Sequence, residues 1–278
     1  MPKLIINADD FGLSPGTNEA ILSCIEKRAI TSTSLVVTGE AFKEGVESLQ
    51  KIGSHISLGL HFVLHQEKPA SKPTSIPTLV NERGNLWARN KFIKKLFSGK
   101  ISSQDLKTEL ENQLKIATKY ELKISHLDSH AHLQIHPKIY KIMSQVAIQQ
   151  NIKRIRKAYE PFRFWPKKDH KSLAKYAGFA LSNLIIQNIS KNRSLKSPDS
   201  LLGIGLSGYL KLDHIGNYFK QLSAKQTYEL MTHPGTHNAI DQAYKLYDRR
   251  GEYELLISPK FKELLKKYQI DLISYHDL

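Results

Sequence analysis

The chain has 278 residues, 40% of them hydrophobic and 24% charged, which excludes a disordered chain, a collagen-like rod and a multidomain array. Forty-one Lys and Arg against 26 Asp and Glu leave a formal charge of +15, a surplus that attracts anionic surfaces such as nucleic acid, lipopolysaccharide or lipid without saying which. The single cysteine, Cys24, excludes an intramolecular disulfide and every Cys-based zinc site, so any metal must be held by His and carboxylates.

In chain order, Met1 to Ile6 reaches Asp9 and Asp10 too soon for the apolar core of a signal peptide, so a cytoplasmic protein is expected. Leu4 to Ala8 reads as the first strand, and Ser14 with Pro15 as the N-cap and first position of a helix to Arg28. Strands follow at Thr33 to Val37 and Ile56 to Leu60. Gln66 to Leu86, with Pro69, Pro73, Pro77 and Gly84, is a turn-rich insertion placed where substrate-covering lids sit. Ser103 caps a helix to Tyr120, Ile124 to Asp128 is a strand, Pro137 opens a helix to Gln150, and Arg154 to Lys157 is a further strand. Residues 160–200 place Arg163, Lys167, Lys168, Lys171, Lys191, Arg193 and Lys196 around the apolar run Tyr176 to Ile189. This basic helical excursion reads plainly as a solvated helix, and more sharply as a surface for lipid or polyanion. Its apolar run is interrupted by Ser182, Asn183, Gln187 and Asn188 and falls short of the ~20 residues that cross a bilayer. Leu201 to Leu206, Tyr228 to Thr232 and Asp271 to Ser274 complete the strands. The alternation gives an α/β fold, a single (β/α) barrel, TIM-like and irregular, with residues 1–278 as one catalytic domain.

The titratable residues fall at strand ends. Asp9 and Asp10 follow the first strand, His61 the third, Asp128 and His130 the strand at 124, and His233 the strand at 228, while Arg156 lies late in its own. In a parallel barrel those ends share one mouth, so residues far apart in sequence can meet there. Asp10, His61 and His130 make a mixed oxygen and nitrogen set suited to one divalent cation with positions open for water and substrate. Along an extended chain Asp9 points away from Asp10, leaving the second carboxylate for proton transfer. His130 and His132, two apart, share a face and read as metal or substrate contacts. Each also has a plainer reading: the Asp pair as turn caps, His61 as a core histidine beside Leu60 and Phe62, His136 as the cap of the helix at Pro137, Arg156 as the partner of an acidic neighbour. Asp10-Phe11-Gly12 matches the kinase triplet only by chance, since no glycine loop precedes it, and Gly203 to Gly208 lacks the lysine and spacing of a phosphate loop.

Asn7-Ala8-Asp9-Asp10-Phe11-Gly12-Leu13, Gly59-Leu60-His61, His126-Leu127-Asp128-Ser129-His130-Ala131-His132 and His233-Pro234-Gly235 together resemble the YdjC family of carbohydrate deacetylases. The likeness extends to Arg156 and to Leu272-Ile273-Ser274-Tyr275. It implies a barrel that removes the acetyl group from N-acetylated amino sugars with one divalent metal, usually magnesium, although the donor types suit zinc, cobalt or manganese as well. It implies Asp10, His61 and His130 as metal ligands, Asp9 as base and His233 as acid; beside these, Arg156, His132 and Asp128 are expected toward the substrate, with Arg156 orienting Asp9 or the sugar. The stretch after His61 and Asp199 to Gly208 are similar to the branch associated with hopanoid biosynthesis, which implies an N-acetylglucosaminyl headgroup on a membrane lipid. Expected partners are therefore an N-acetylated sugar or glycolipid and, by peripheral contact, the anionic surface of the inner membrane, with no specific nucleic acid and a homodimer left open. The family pattern has a longer histidine run than Asp-Ser-His-Ala-His, so the role of His132 stays open. Two other classes compete: an iron oxygenase with two His and one carboxylate, and a non-catalytic polyanion-binding module.

Overall fold

A computed structural model describes residues 1–52, 55–166, 170–190, 195–236 and 247–278. The strands are β1 (Lys3–Phe11), β2 (Ser32–Leu35), β3 (Ser57–Phe62), β4 (Ile124–Ser129), β5 (Ser200–Leu202), β6 (Thr227–Thr232) and β7 (Asp271–Leu272). The helices are α1 (Pro15–Glu26), α2 (Phe42–Ile52), α3 (Arg89–Phe97), α4 (Ser103–Lys119), α5 (Pro137–Gln149), α6 (His170–Ser190), α7 (Leu212–Phe219), α8 (Arg249–Ile257) and α9 (Pro259–Lys267).

Leu4, Ile5 and Ile6 run without a polar break because β1 is covered on both faces, and all three are fully buried. The main path of the sheet is β4-β3-β2-β1-β6-β5, with β7 added beside the start of β1. Every ladder is parallel, so every strand delivers its carboxyl end to the same rim. The helices pack outside; Ser14 caps α1 and accepts from Thr17 N–H, while His136 caps α5 and accepts from Lys138 N–H. Ser102, not Ser103, caps α4.

Two expectations need correction. The sheet is an open, curled half-barrel rather than a complete TIM barrel. The segment expected as a strand at 154–157 forms only single bridges, Leu127 to Ile155 on one side and Arg154 to Lys196 on the other. Arg156 N–H donates to Leu127 C=O there, a contact too short to propagate as a ladder. The insertion at 66–86, expected as a lid, is drawn onto α4, where Glu109 accepts from Ala70 and Ser71 N–H and Asp105 accepts from Thr78 N–H, and it borders the cavity through Gln66. Ile76 and Leu79 complete the anchoring by entering the core. The excursion at 160–200 is built around α6; Lys167, Lys168, Lys191 and Arg193 lie outside the described residues, as does the side chain of Lys171.

Below the rim, His126 stacks flat on Tyr275 with ring centroids 3.6 Å apart. Gly59 makes that possible, because a Cβ on it would lie 2.3 Å from His126 Nε2.

Candidate active site

The rim is shaped by an irregularity in β1. The β1–β2 register shifts between Ala8 and Phe11, and Asp10 takes a left-handed φ of 74°. In a regular strand neighbouring side chains diverge, as expected for Asp9 and Asp10; the bulge instead turns both carboxylates toward one mouth. A second irregularity follows β4, where Ala131 and His132 have φ of 55° and 56°. His130 and His132 both reach the same cavity, but by a tight turn rather than by strand alternation.

Asp10 Oδ1 lies 3.2 Å from His130 Nδ1 and 3.5 Å from His61 Nε2, and the two ring nitrogens are 3.3 Å apart. A tetrahedral cation with bonds of about 2.1 Å separates its ligands by about 3.4 Å, so this oxygen and two imidazole nitrogens fit a divalent metal. All three residues are buried. Around them sits a layer of orienting contacts. Arg249 Nη2 donates to Asp10 Oδ2 at 2.6 Å, which leaves Oδ1 facing the imidazoles. Burial alone would raise the Asp10 carboxyl, but Arg249 and the two histidines outweigh it and hold it well below the usual range. His61 Nδ1 pairs with Asp128 Oδ1 at 2.9 Å. Burial opposes charge on that ring, yet Asp128, Asp9 and Asp10 prevail and raise it to about 9.

Arg156 organises the floor. It donates to Asp9 from both terminal nitrogens, at 2.8 and 2.7 Å, to Glu229 from Nε at 2.9 Å, and pairs with Asp128 at 2.7 Å. Asn7 Nδ2 adds a bond to Asp9 at 2.7 Å, Ser34 Oγ one to Asp128 at 2.7 Å, and Tyr275 OH one to Glu229 at 2.5 Å. Burial raises Asp9 and Arg156 more than compensates, so its carboxyl sits below the ordinary value. The guanidinium itself is pulled well above its usual range by the acids, against the pull of burial.

Above this floor opens a cavity of about 1030 Å³ whose lining includes Asp9, His61, His130, His132 and His233. Asp128 and Arg156 are absent from that lining and fully buried. Both were expected toward the substrate; their polar atoms are instead consumed by His61, Ser34, Asp9 and Glu229, so they position other groups. Of the three residues expected there, His132 alone faces the cavity, with its ring edge-on to Phe179 and pushed down to about 3 by burial, with Arg156 adding to the effect. His233 follows β6; its N–H donates to Glu252 Oε2 at 2.6 Å and its ring meets Tyr247 edge-on. Burial, opposed by Asp9 and Asp10, leaves that ring at about 4, hence neutral near pH 7.

The chain matches the sequence model of a family described as YdjC-like protein over residues 3–267. It belongs to the YdjC-like family. The motif resemblance at Asn7 to Leu13, Gly59 to His61, His126 to His132 and His233 to Gly235 is thereby borne out. Among curated relatives, the chain is 30% identical over 279 residues to "Carbohydrate deacetylase 2" of Listeria innocua serovar 6a, covering 99% of this chain and 98% of that one. It is 28% identical over 282 residues to "Chitooligosaccharide deacetylase" of Serratia marcescens, covering 99% and 98%. Among solved structures it resembles an Enterococcus faecalis V583 protein described as a cellobiose-phosphate cleavage protein, with TM-score 0.79, 24% identity and coverage of 99% and 98%. That likeness shows the fold alone.

This YdjC-like rim holds residues that the motifs did not single out. His65, four positions after His61, is buried against His130 and Phe92 and lines the cavity; the even spacing along an extended chain was the available signal. Arg249 comes from the first turn of α8 and Glu229 from the interior of β6, and nothing local in either sequence marks them.

Proposed function

We propose that this YdjC-like protein is a metal-dependent hydrolase that removes the acetyl group from an N-acetylated amino sugar, on a free N-acetylglucosaminyl oligosaccharide or a glycolipid headgroup. One catalytic domain spanning residues 1–278 would carry this activity. What carries the reading is the convergence of Asp10, His61 and His130, with His61 and His130 lining the cavity beside Asp9, in a chain similar over almost its whole length to named carbohydrate deacetylases.

Asp10, His61 and His130 would hold the cation. When bound it supplies Lewis acidity, polarising an amide carbonyl and acidifying water. Family resemblance favours magnesium, while two imidazoles and one carboxylate favour zinc, cobalt or manganese. Asp9 takes the proton of the attacking water; Arg156 keeps the carboxylate ionised and fixes its orientation. His233 is neutral at rest. Negative charge developing in the tetrahedral transition state raises its proton affinity, so the proton reaches the departing amine through His233. His132 borders the sugar. Asp128 acts on His61, holding the tautomer that leaves Nε2 toward Asp10.

The deciding assay is acetate release from a panel of N-acetylglucosamine oligomers and glycolipids after chelation and re-addition of single metals. Asp9→Asn is expected to retain metal and lose about 10²–10⁴-fold in turnover. His130→Ala is expected to lose the metal as well. Acetate release at the wild-type rate from either variant would defeat the assignment.

A further inference from the structure

The wall of the cavity opposite the strand ends is made by two helices, α3 and α6. Ile93, Leu96 and Phe97 line it from one side, and Phe179, Leu181 and Ile185 from the other. The apolar character does not stop at the mouth. Phe97 is 76% exposed, and on α6 Leu181 is 62%, Leu184 61% and Ile185 43% exposed. Leu173, Ala177, Leu181, Leu184 and Ile185, spaced at four, four, three and one, form one outward stripe on α6 with no polar partner above it in the described chain. Asn183 and Ile186 turn inward, and the helix exposes Lys175, Gln187 and Asn188 beside that stripe.

Both rim helices lack Asp and Glu, and α3 carries Arg89, Lys91, Lys94 and Lys95. An exposed apolar stripe beside a cationic helix is the composition of an element lying in the interface of an anionic bilayer. A second copy of the chain would bring an equally basic rim against this one, so like charges oppose that occupant. Nucleic acid would use the lysines but leave the Leu and Ile side chains in water. No described helix is long and apolar enough to cross a membrane.

We propose that the α3–α6 rim docks on an anionic phospholipid surface, and that the deacetylated sugar is borne on a membrane-anchored apolar aglycone that passes between these helices into the cavity. The substrate half of this rests on the deacetylase reading above; the docking half does not. Sugar at the strand ends and aglycone between Phe97 and Ile185 would place the acetamide by the carboxylates while the anchor never leaves the lipid.

The test uses the full chain and the variant Leu173→Glu/Leu184→Glu, whose two positions are exposed and outside the cavity lining. Co-sedimentation is measured with vesicles of phosphatidylcholine and phosphatidylglycerol, and of phosphatidylcholine alone. Wild type is expected to bind the anionic vesicles, and the variant to lose roughly tenfold or more in partitioning. The variant should release acetate from soluble N-acetylglucosamine oligomers within about twofold of wild type, as surface changes away from a site do. It should lose the wild-type preference for a long-chain alkyl N-acetylglucosaminide held in those vesicles. Equal sedimentation of the two proteins, or none by wild type, overturns the proposal. So does a concentration-dependent dimer of wild type that the variant abolishes, which would give the face to a second copy. Vesicle binding without acetate release from any N-acetylated sugar would instead defeat the deacetylase reading and leave the docking surface standing.

Discussion

The two walls of the cavity obey opposite rules. On the strand-end wall the buried charges are paired with one another: Arg156 alone serves Asp9, Asp128 and Glu229. On the helix wall apolar side chains stand in water, and neither helix carries an acid. The difference separates geometry that must be fixed before a reaction from a surface that is completed by what it meets. Substitutions should therefore be expensive on the first wall and nearly silent for folding on the second.

The sharpest way to break that contrast is Arg156→Met. It removes the one guanidinium shared by three buried carboxylates, and stranding such charges costs about 3–5 kcal/mol. Chemical denaturation near neutral pH should show that loss, or no folded protein at all. Leu184→Ser on the helix wall should change stability by less than about 0.5 kcal/mol. Comparable losses at both positions would mean the walls do not differ.

Next in size is Arg249→Lys. A lysine cannot present the same fork to Asp10 Oδ2, so Oδ1 loses its fixed orientation toward the imidazoles. Metal affinity should fall about 10–100-fold, read by competition with a chromogenic chelator, while the fold survives. Unchanged affinity would show that Asp10 is held by the histidines alone.

The strand-end wall was far more legible in the sequence than its supports. Asp9, Asp10, His61, His130 and His233 announced themselves because parallel strands send their ends to one rim, a consequence of topology that needs no side-chain detail. Arg249 and Glu229 did not, because their roles depend on packing between distant elements, Arg249 meeting Asp10 239 residues away and Glu229 meeting Arg156 73 residues away. Local conformation was the other blind spot. Strand alternation assigned Asp9 and Asp10 to opposite faces, and a single left-handed residue reversed that. The apolar run of α6 was visible in sequence, but whether its stripe faced the core or water was not, since periodicity fixes a face and not what covers it. The insertion at 66–86 looked like a lid for the same reason: turn-rich composition says where a loop begins, while Glu109 and Asp105 decide where it lies.

The smallest effect is a slope, and it tests the strand-end wall most directly. With no metal bound, Asp128 and its neighbours hold the His61 proton until about pH 9, yet a ligand imidazole must give up the proton on the metal-facing nitrogen. Below pH 9 the cation competes with that proton, so apparent affinity should rise with pH by about tenfold per unit and level off above it. The sign follows from the raised value: the free site binds the extra proton and the loaded site does not. Calorimetric titrations between pH 6 and 8 in buffers of different ionisation enthalpy should count close to one proton released per metal. In Asp128→Asn the largest raising charge is gone and only Asp9 and Asp10 still oppose burial, so both the slope and the released proton should diminish over that range. A flat profile in wild type would show that Asp128 positions His61 without storing a proton on it, and the wall would then be preorganised for the metal at no cost in competition.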